Sequence, residues 1–407
     1  MSISKLSALS LALAWLAFSA SASHAAAGTN HRLKPHYAMK GQVLDSNPET
    51  SRLTAARNEA LAESKGINTE SALAETSSGW TPKHWLYVGC RTKPANATFP
   101  TIQAAVSAAR LYTVIKVCSG QYQAGGPDTG ITVSTSYIEI EGVSAHPGAQ
   151  TLLCGSTPSP DDLSWGIWLQ GSHDTVQNMT VENCAFGVES GNLTEVRNNA
   201  IVNNWFIADN QSVATYFGYM NKIENNNISN SDYPIFSYAG ISDAIVGNNV
   251  EGDGTFTQDG IAIALSVSAK IQNNTVASAA YGLDFGASTV DADYGFNSDA
   301  YVTCNHFDGN GVGVNIANNN SGNKFLSNYA NGNTFGFKSD ETSGADAVPT
   351  SGANIFEKNR AYGNTQYDYV DATFGYTGTD SSTNEGTADY YKYNKGNTAL
   401  PPSIFFH

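Results

Sequence analysis

Charge is scarce in this chain. Only 14% of its 407 residues are Asp, Glu, Lys or Arg, and cations are the rarer sign, with 21 Lys and Arg against 36 Asp and Glu. A net charge of −15 argues against duplex nucleic acid or an anionic membrane as partner, because both need a basic surface. Proline is sparse too, at 13 against 38 glycines, while 41% of residues are hydrophobic. That composition fits neither a collagen, nor a coiled coil, nor a chain disordered throughout. No later apolar run is longer than the one near the N-terminus, and that one is too short to span a hydrocarbon core of ~30 Å. What is left is a folded chain with many turns, whose partner is neutral, cationic or metal-bridged.

The N-terminal run, Leu6 to Phe18 after Lys5, is followed by Ser23-His24-Ala25, a small-residue ending that fits a signal-peptidase site. Residues 1–25 are therefore read as a signal peptide, and the mature protein as secreted, periplasmic or extracellular. Five cysteines then stand in an oxidising compartment. Cys90 with Cys118, and Cys154 with Cys184, are the expected disulfides, because their separations of 28 and 30 residues suit the repeat described below. Cys304 is left over, and is expected to be a buried small hydrophobe. Residues 26–80 read as a mobile leader with one helix-prone stretch, Thr54 to Lys65. Residues 81–407 carry 30 acids against 14 bases, so the charge imbalance belongs to the folded part.

That part opens with a short strand, Trp85 to Val88. From Thr101 to Arg110, Ile102, Ala105, Val106 and Ala109 share one face of an amphipathic helix after Pro100. Thereafter only short strands follow, at Ile115–Cys118, Ile131–Val133 and Ile138–Glu141. From Val176 a repeat appears: an apolar residue, Asn three positions later, and a second apolar residue two beyond that. Val196-Asn199-Ile201, Ile223-Asn226-Ile228, Ile245-Asn248-Val250, Ile271-Asn274-Val276 and Val302-Asn305-Phe307 carry it, and copies at Asn328 and Asn359 continue it. Nine residues after four of these asparagines lie Ile235, Leu283, Val314 and Phe337. Strands of three to five residues at this period cannot bury a face alone, whereas stacked coils share one apolar column. The reading is an all-β parallel β-helix over residues 81–374, eight coils from Val176 onward, with 375–407 as a C-terminal tail or cap.

The segments Thr101 to Ala109 and Val114 to Tyr122, followed by the Asn-bearing coils, resemble the pectin-lyase-like superfamily of right-handed parallel β-helix proteins over roughly residues 85–370. The resemblance implies an N-terminal capping helix and an exposed groove along one sheet that holds a polysaccharide in enzyme members. It does not choose a reaction, since lyases, hydrolases, esterases, epimerases and members without known catalysis share the fold.

The Asn column is expected to be structural, because Asn tolerates the bend between strands and stacked amides satisfy one another. Tyr281-Gly282-Leu283-Asp284 resembles the start of the alginate C5-epimerase motif, but no His follows. The same slot in other coils holds Phe186-Gly187-Val188-Glu189, Val312-Gly313-Val314-Asn315 and Phe335-Gly336-Phe337-Lys338, so only Asp284 is informative, as an outward carboxylate. Asp259 and Asp284 resemble the aspartate pair of pectin methylesterases. In register, however, Asp259 aligns with Tyr281, which separates the two backbones by roughly 11 Å. Polygalacturonase and pectate lyase signatures are missing, and no His pair has metal spacing.

What remains is acidic. The loop from Gly286 to Ala300 carries Asp291, Asp293 and Asp299, hard oxygen ligands suited to Ca²⁺, which could bridge an acidic glycan to an acidic protein. The candidate set is thus Asp284 and Asp259 for catalysis, Tyr281, Tyr294 and Lys338 for substrate, and Asp291, Asp293 and Asp299 for metal. The function expected is a monomeric secreted protein that binds an extracellular polysaccharide and cleaves or modifies it. The alternative is a non-catalytic glycan-binding, envelope or adhesion protein using the column as a stiff scaffold.

Overall fold

The computed structural model describes residues 80–407 apart from short stretches, the longest being 155–163, 203–210, 286–296, 341–353 and 372–388. The helix-prone stretch 54–65 lies outside the described residues. All named strands belong to three parallel sheets of 13, 8 and 11 strands, and each coil visits the first, second and third sheet in turn. One coil shows the pattern: Lys270–Gln272 in the first sheet, Thr275–Ala277 in the second, Tyr281–Phe285 in the third. Its successor repeats it with Tyr301–Thr303, His306–Phe307 and Val312–Ala317.

The alternation seen in the sequence explains the packing. Ile228, Val250, Val276 and Phe307 are fully buried and stack in register on the second sheet. The side chain of Ile201 lies outside the described residues. On the first sheet the inward column starts with β-branched residues, including Ile223, Ile245 and Ile271, and ends in rings. There Phe325 stacks on Phe356 at 4.8 Å and Phe356 on Tyr391 at 4.7 Å. The column extends beyond the Asn repeat at both ends. His84–Val88, Thr113–Val117 and Ile138–Gly142 join the first sheet before Thr175–Gln177. Tyr390–Lys392 and Ala399–Leu400, inside the segment read as a tail or cap, pair onto the first and third sheets. The helix Ile102–Ala108 turns Ile102, Ala105 and Val106 inward, and the Thr101 hydroxyl accepts from the backbone N–H of Ala104 to cap it.

The bend between the first and second sheets is built from two residues. The first adopts the left-handed region, as Asn225, Asn273, Cys304, Ser327 and Lys358 do at φ 54–57°. Such a conformation costs on the order of 1–2 kcal/mol for a residue with a Cβ. The second is the buried Asn, which offsets that cost with hydrogen bonds. Each Nδ2 from Asn199 through Asn226, Asn248, Asn274, Asn305, Asn328 and Asn359 donates to the Oδ1 of the next coil, at 2.9–3.2 Å. The last acceptor is Asn394, one coil further than the sequence reading took the column.

Both expected disulfides are present, Cys90–Cys118 and Cys154–Cys184, each joining neighbouring coils. Cys304 is free, but it is exposed rather than buried. As the left-handed residue of its bend it stands at the outer corner, while the adjacent Asn305 takes the inward place. Alkylation of the unreduced mature chain is therefore expected to add a single group, at Cys304 and without denaturant. Peptide mass spectrometry checks this, and a requirement for denaturant would contradict the corner position.

Candidate functional site

The third sheet has the widest strands, six residues at Tyr233–Tyr238, Asp259–Ala264 and Val312–Ala317, against mostly three in the other two. Its inward residues Val188, Ile235, Leu283 and Phe337 belong to the core. The residue after each points to the opposite face. Strand pairing therefore aligns Glu189, Ala214, Phe236, Ala262, Asp284, Asn315 and Lys338 in one outer row, one residue per coil.

Strand alternation breaks at the entry to these strands. A Cβ on Gly260 would lie 2.1 Å from Val276 Cγ1, deep in the core, and one on Gly282 would lie 3.1 Å from Phe307 Cβ. The glycine and the apolar residue after it thus both face inward, which is why that slot recurs as Gly. The preceding residue consequently falls on the outer face, and this places Asp259 beside Tyr281 with the register the sequence implied.

Asp259 and Asp284 now share a face. Both are fully buried, so Asp284 is not the surface carboxylate that its outward position implied. The Asn315 amide donates to Asp284 Oδ1 at 2.8 Å. Asp259, by contrast, has no hydrogen bond to either carboxylate oxygen among the described residues. Burial pushes its carboxyl well above the usual range, and the neighbouring carboxylates of Asp284 and Asp232 push it further. Beside the pair lies a small apolar patch of Tyr233, Phe236, Ala262 and Ala264, with Tyr238 stacked on Phe236 at 6.1 Å between ring centres.

Tyr281 and Lys338 are half-buried and flank the acids, Tyr281 in the same coil as Asp284 and Lys338 two coils on in the same row. Asp291, Asp293 and Tyr294 lie outside the described residues. Asp299 is exposed at a bend before Tyr301–Thr303. Among the described residues no group of three or more His, Cys, Asp or Glu side chains is arranged to hold a metal ion. Sequence reasoning named Asn315 only as a slot occupant and did not single out Asp232, which sits 27 residues before Asp259. The signal for Asp232 was its place just ahead of Tyr233, one position before the outward slot that Asp259 fills.

Residues 161–293 match the family described as right handed beta helix region. The protein is a right-handed parallel β-helix. No curated protein matches it in sequence. Among solved structures it is similar to pectate lyase Pel9A, at 16% identity and a TM-score of 0.47, covering 79% of this chain and 80% of that one. The A-module of the Azotobacter vinelandii mannuronan C-5 epimerase AlgE6 is similar at 12% identity and a TM-score of 0.46, over 73% and 84% of the two chains. The β-helix likeness is one of fold.

Other carboxyls of this β-helix are also pushed up by burial: Glu189 to about 7, Asp243 to about 6 and Asp389 to about 6. In the unfolded chain such groups titrate near 4, so between roughly pH 4 and 7 the folded state binds more protons. Stability contributed by these protons is complete below that window and falls as pH rises through it. The melting temperature is expected to be several degrees higher at pH 5 than at pH 7.5. Thermal melts at the two values check this, and Glu189→Gln should flatten the upper part of the slope.

Proposed function

We propose that this β-helix is an exported, polysaccharide-modifying enzyme working by acid–base chemistry on the outer face of its third sheet. The observation that carries the reading is Asp259, a fully buried carboxyl with no hydrogen bond among the described residues, placed against two other carboxylates. Folding gains nothing from such a group, whereas general acid–base catalysis uses a carboxyl whose hold on its proton is strengthened by burial and by a neighbouring carboxyl. Asp259 is the proton donor to a departing glycosidic oxygen. Asp284, held by the Asn315 amide, is the carboxylate that takes a proton or steadies positive charge. Tyr281 offers a ring to a sugar, and Lys338 offers a cation to an acidic substituent. Two disulfides among the described residues support an oxidising compartment, and no described helix is long and apolar enough to cross a membrane.

The test is incubation of the mature protein with polyuronates and neutral glycans, scoring reducing ends, unsaturated products and epimer content, with Ca²⁺ and with chelator. Turnover of at least one glycan is expected. Binding without turnover of any would replace this reading by that of a glycan-binding module.

A further inference from the structure

The folded part has few cations, yet they are not scattered. Seven of its fourteen basic residues lie from Lys270 onward, and six of these lie on the first sheet or at its bend into the second: Lys270 and Lys324 open first-sheet strands, Lys358 and Lys392 stand at the bend, and Arg360 and Lys395 just past it. All six are exposed. The strand register sets them in rows along the axis. Lys270, Tyr301 and Lys324 follow one another on the first sheet. His306, Tyr329, Arg360 and Lys395 follow one another just past the bend.

Aromatic rings fill the gaps between the cations. His306 lies flat on Tyr329 at 4.5 Å, the Arg360 guanidinium sits 5.6 Å from the centre of the Tyr329 ring, and Lys392 Nζ 4.9 Å from that of Tyr393. Tyr390 and Tyr393 are 58% and 60% exposed, an unusual outlay of ring surface on a folded chain. Acids are interleaved with them: Glu357 pairs with Lys358 at 2.8 Å and so balances that cation, Asp308 Oδ1 accepts from Asn331 Nδ2 at 3.0 Å, and Asp299 is exposed at the bend before Tyr301.

We infer that this corner is a second polysaccharide-binding surface, separate from the third-sheet site, and that it takes a linear polyuronate. Charge complementarity carries the assignment. A row of fixed cations on a protein of net charge −15 has an anionic partner, and exposed rings between them stack on sugar faces, which a compact inorganic anion lacks. The coil step of ~4.8 Å is close to the length of one pyranose residue, so successive uronate carboxylates meet successive coils. The surface runs parallel to the third sheet on another side of the column, and so anchors polymer without entering the catalytic row.

The experiment is native affinity electrophoresis of the full mature chain in gels containing polygalacturonate. The protein is expected to be retarded, and K324Q/R360Q/K395Q to lose at least tenfold in affinity with unchanged circular dichroism. Retardation should also fall steeply with added salt, as contacts between fixed charges do. D284N, altered only on the third sheet, should keep the retardation. The inference is overturned if the triple variant is retarded like the native chain, if only D284N loses retardation, or if a neutral dextran or single-stranded DNA retards the protein equally. Failure here leaves the acid–base reading of the third sheet standing, since that is scored by turnover of short oligosaccharides.

Discussion

Replacing Asp259 by Asn is expected to lower turnover of the responsive glycan by roughly a hundredfold or more while leaving the folded protein as stable as before or slightly more so. The two halves of this expectation come from one fact. The carboxyl accepts no hydrogen bond from the described residues, so the isosteric amide forfeits none, and the substitution removes a group whose ionisation Asp284 and Asp232 oppose. Proton donation, by contrast, is lost outright, and a general acid is commonly responsible for ~10²–10⁴-fold in rate. Steady-state turnover alongside a urea melt separates the two effects. Unchanged turnover would remove Asp259 from the chemistry. Asp284→Asn supplies a second readout: with one of the groups that raise Asp259 gone, the alkaline limb of the pH–activity profile should move to lower pH. A residue of merely structural importance would depress activity without moving that limb.

The second large effect concerns the Asn column. Asn274 accepts from both the backbone N–H and the Nδ2 of Asn248, at 2.9 and 3.0 Å, and donates through Nδ2 to Ile245 O at 2.8 Å. Asn274→Ala leaves these groups buried and unpaired, at ~1–3 kcal/mol each with partial relaxation, so a loss of about 3–5 kcal/mol is expected. Asn394→Ala, at the half-buried end of the same column, is expected to cost about 1 kcal/mol or less, because water can reach the groups it frees. Urea denaturation of the two variants checks the contrast. Equal losses would mean that the amides act singly and not as a column.

How much could be read beforehand follows from which interactions repeat. The apolar-to-Asn spacing recurs in coil after coil, so the stacking and the alignment of Asp259 with Tyr281 were legible. The coil at Asn394 was not, since 35 residues separate it from Asn359, beyond the spacings of 22–31 that define the other steps. The early coils at Ile115 and Ile140 carry no Asn and so gave no periodic mark. At the site, alternation told the face of Asp284 but not its burial, because alternation says nothing about what covers a face. The meeting of Asp259 with Asp284 escaped for a related reason: Gly260 turns into the core, which shifts the phase of the strand by one residue, and a glycine has no side chain to announce it. Cys304 was expected to be buried because it is a small hydrophobe, a property that says nothing of its place at the bend.

The direction of the Asn hydrogen bonds has an electrical consequence. From Asn199 to Asn359 every carboxamide accepts through Oδ1 from the earlier coil and donates through Nδ2 to the Oδ1 of the later one, while the same Nδ2 also donates to a backbone carbonyl of the earlier coil. The side-chain dipoles therefore add head to tail along the axis, as peptide units do in a helix, although the strands of this fold lie across it. Their positive pole is at the Asn394 coil, next to Arg360 and Lys395. The column is thus a polar rod whose two ends differ, and an anionic polymer approaching from solution meets a fixed partial positive charge at one end that no titration or salt-bridge exchange can remove.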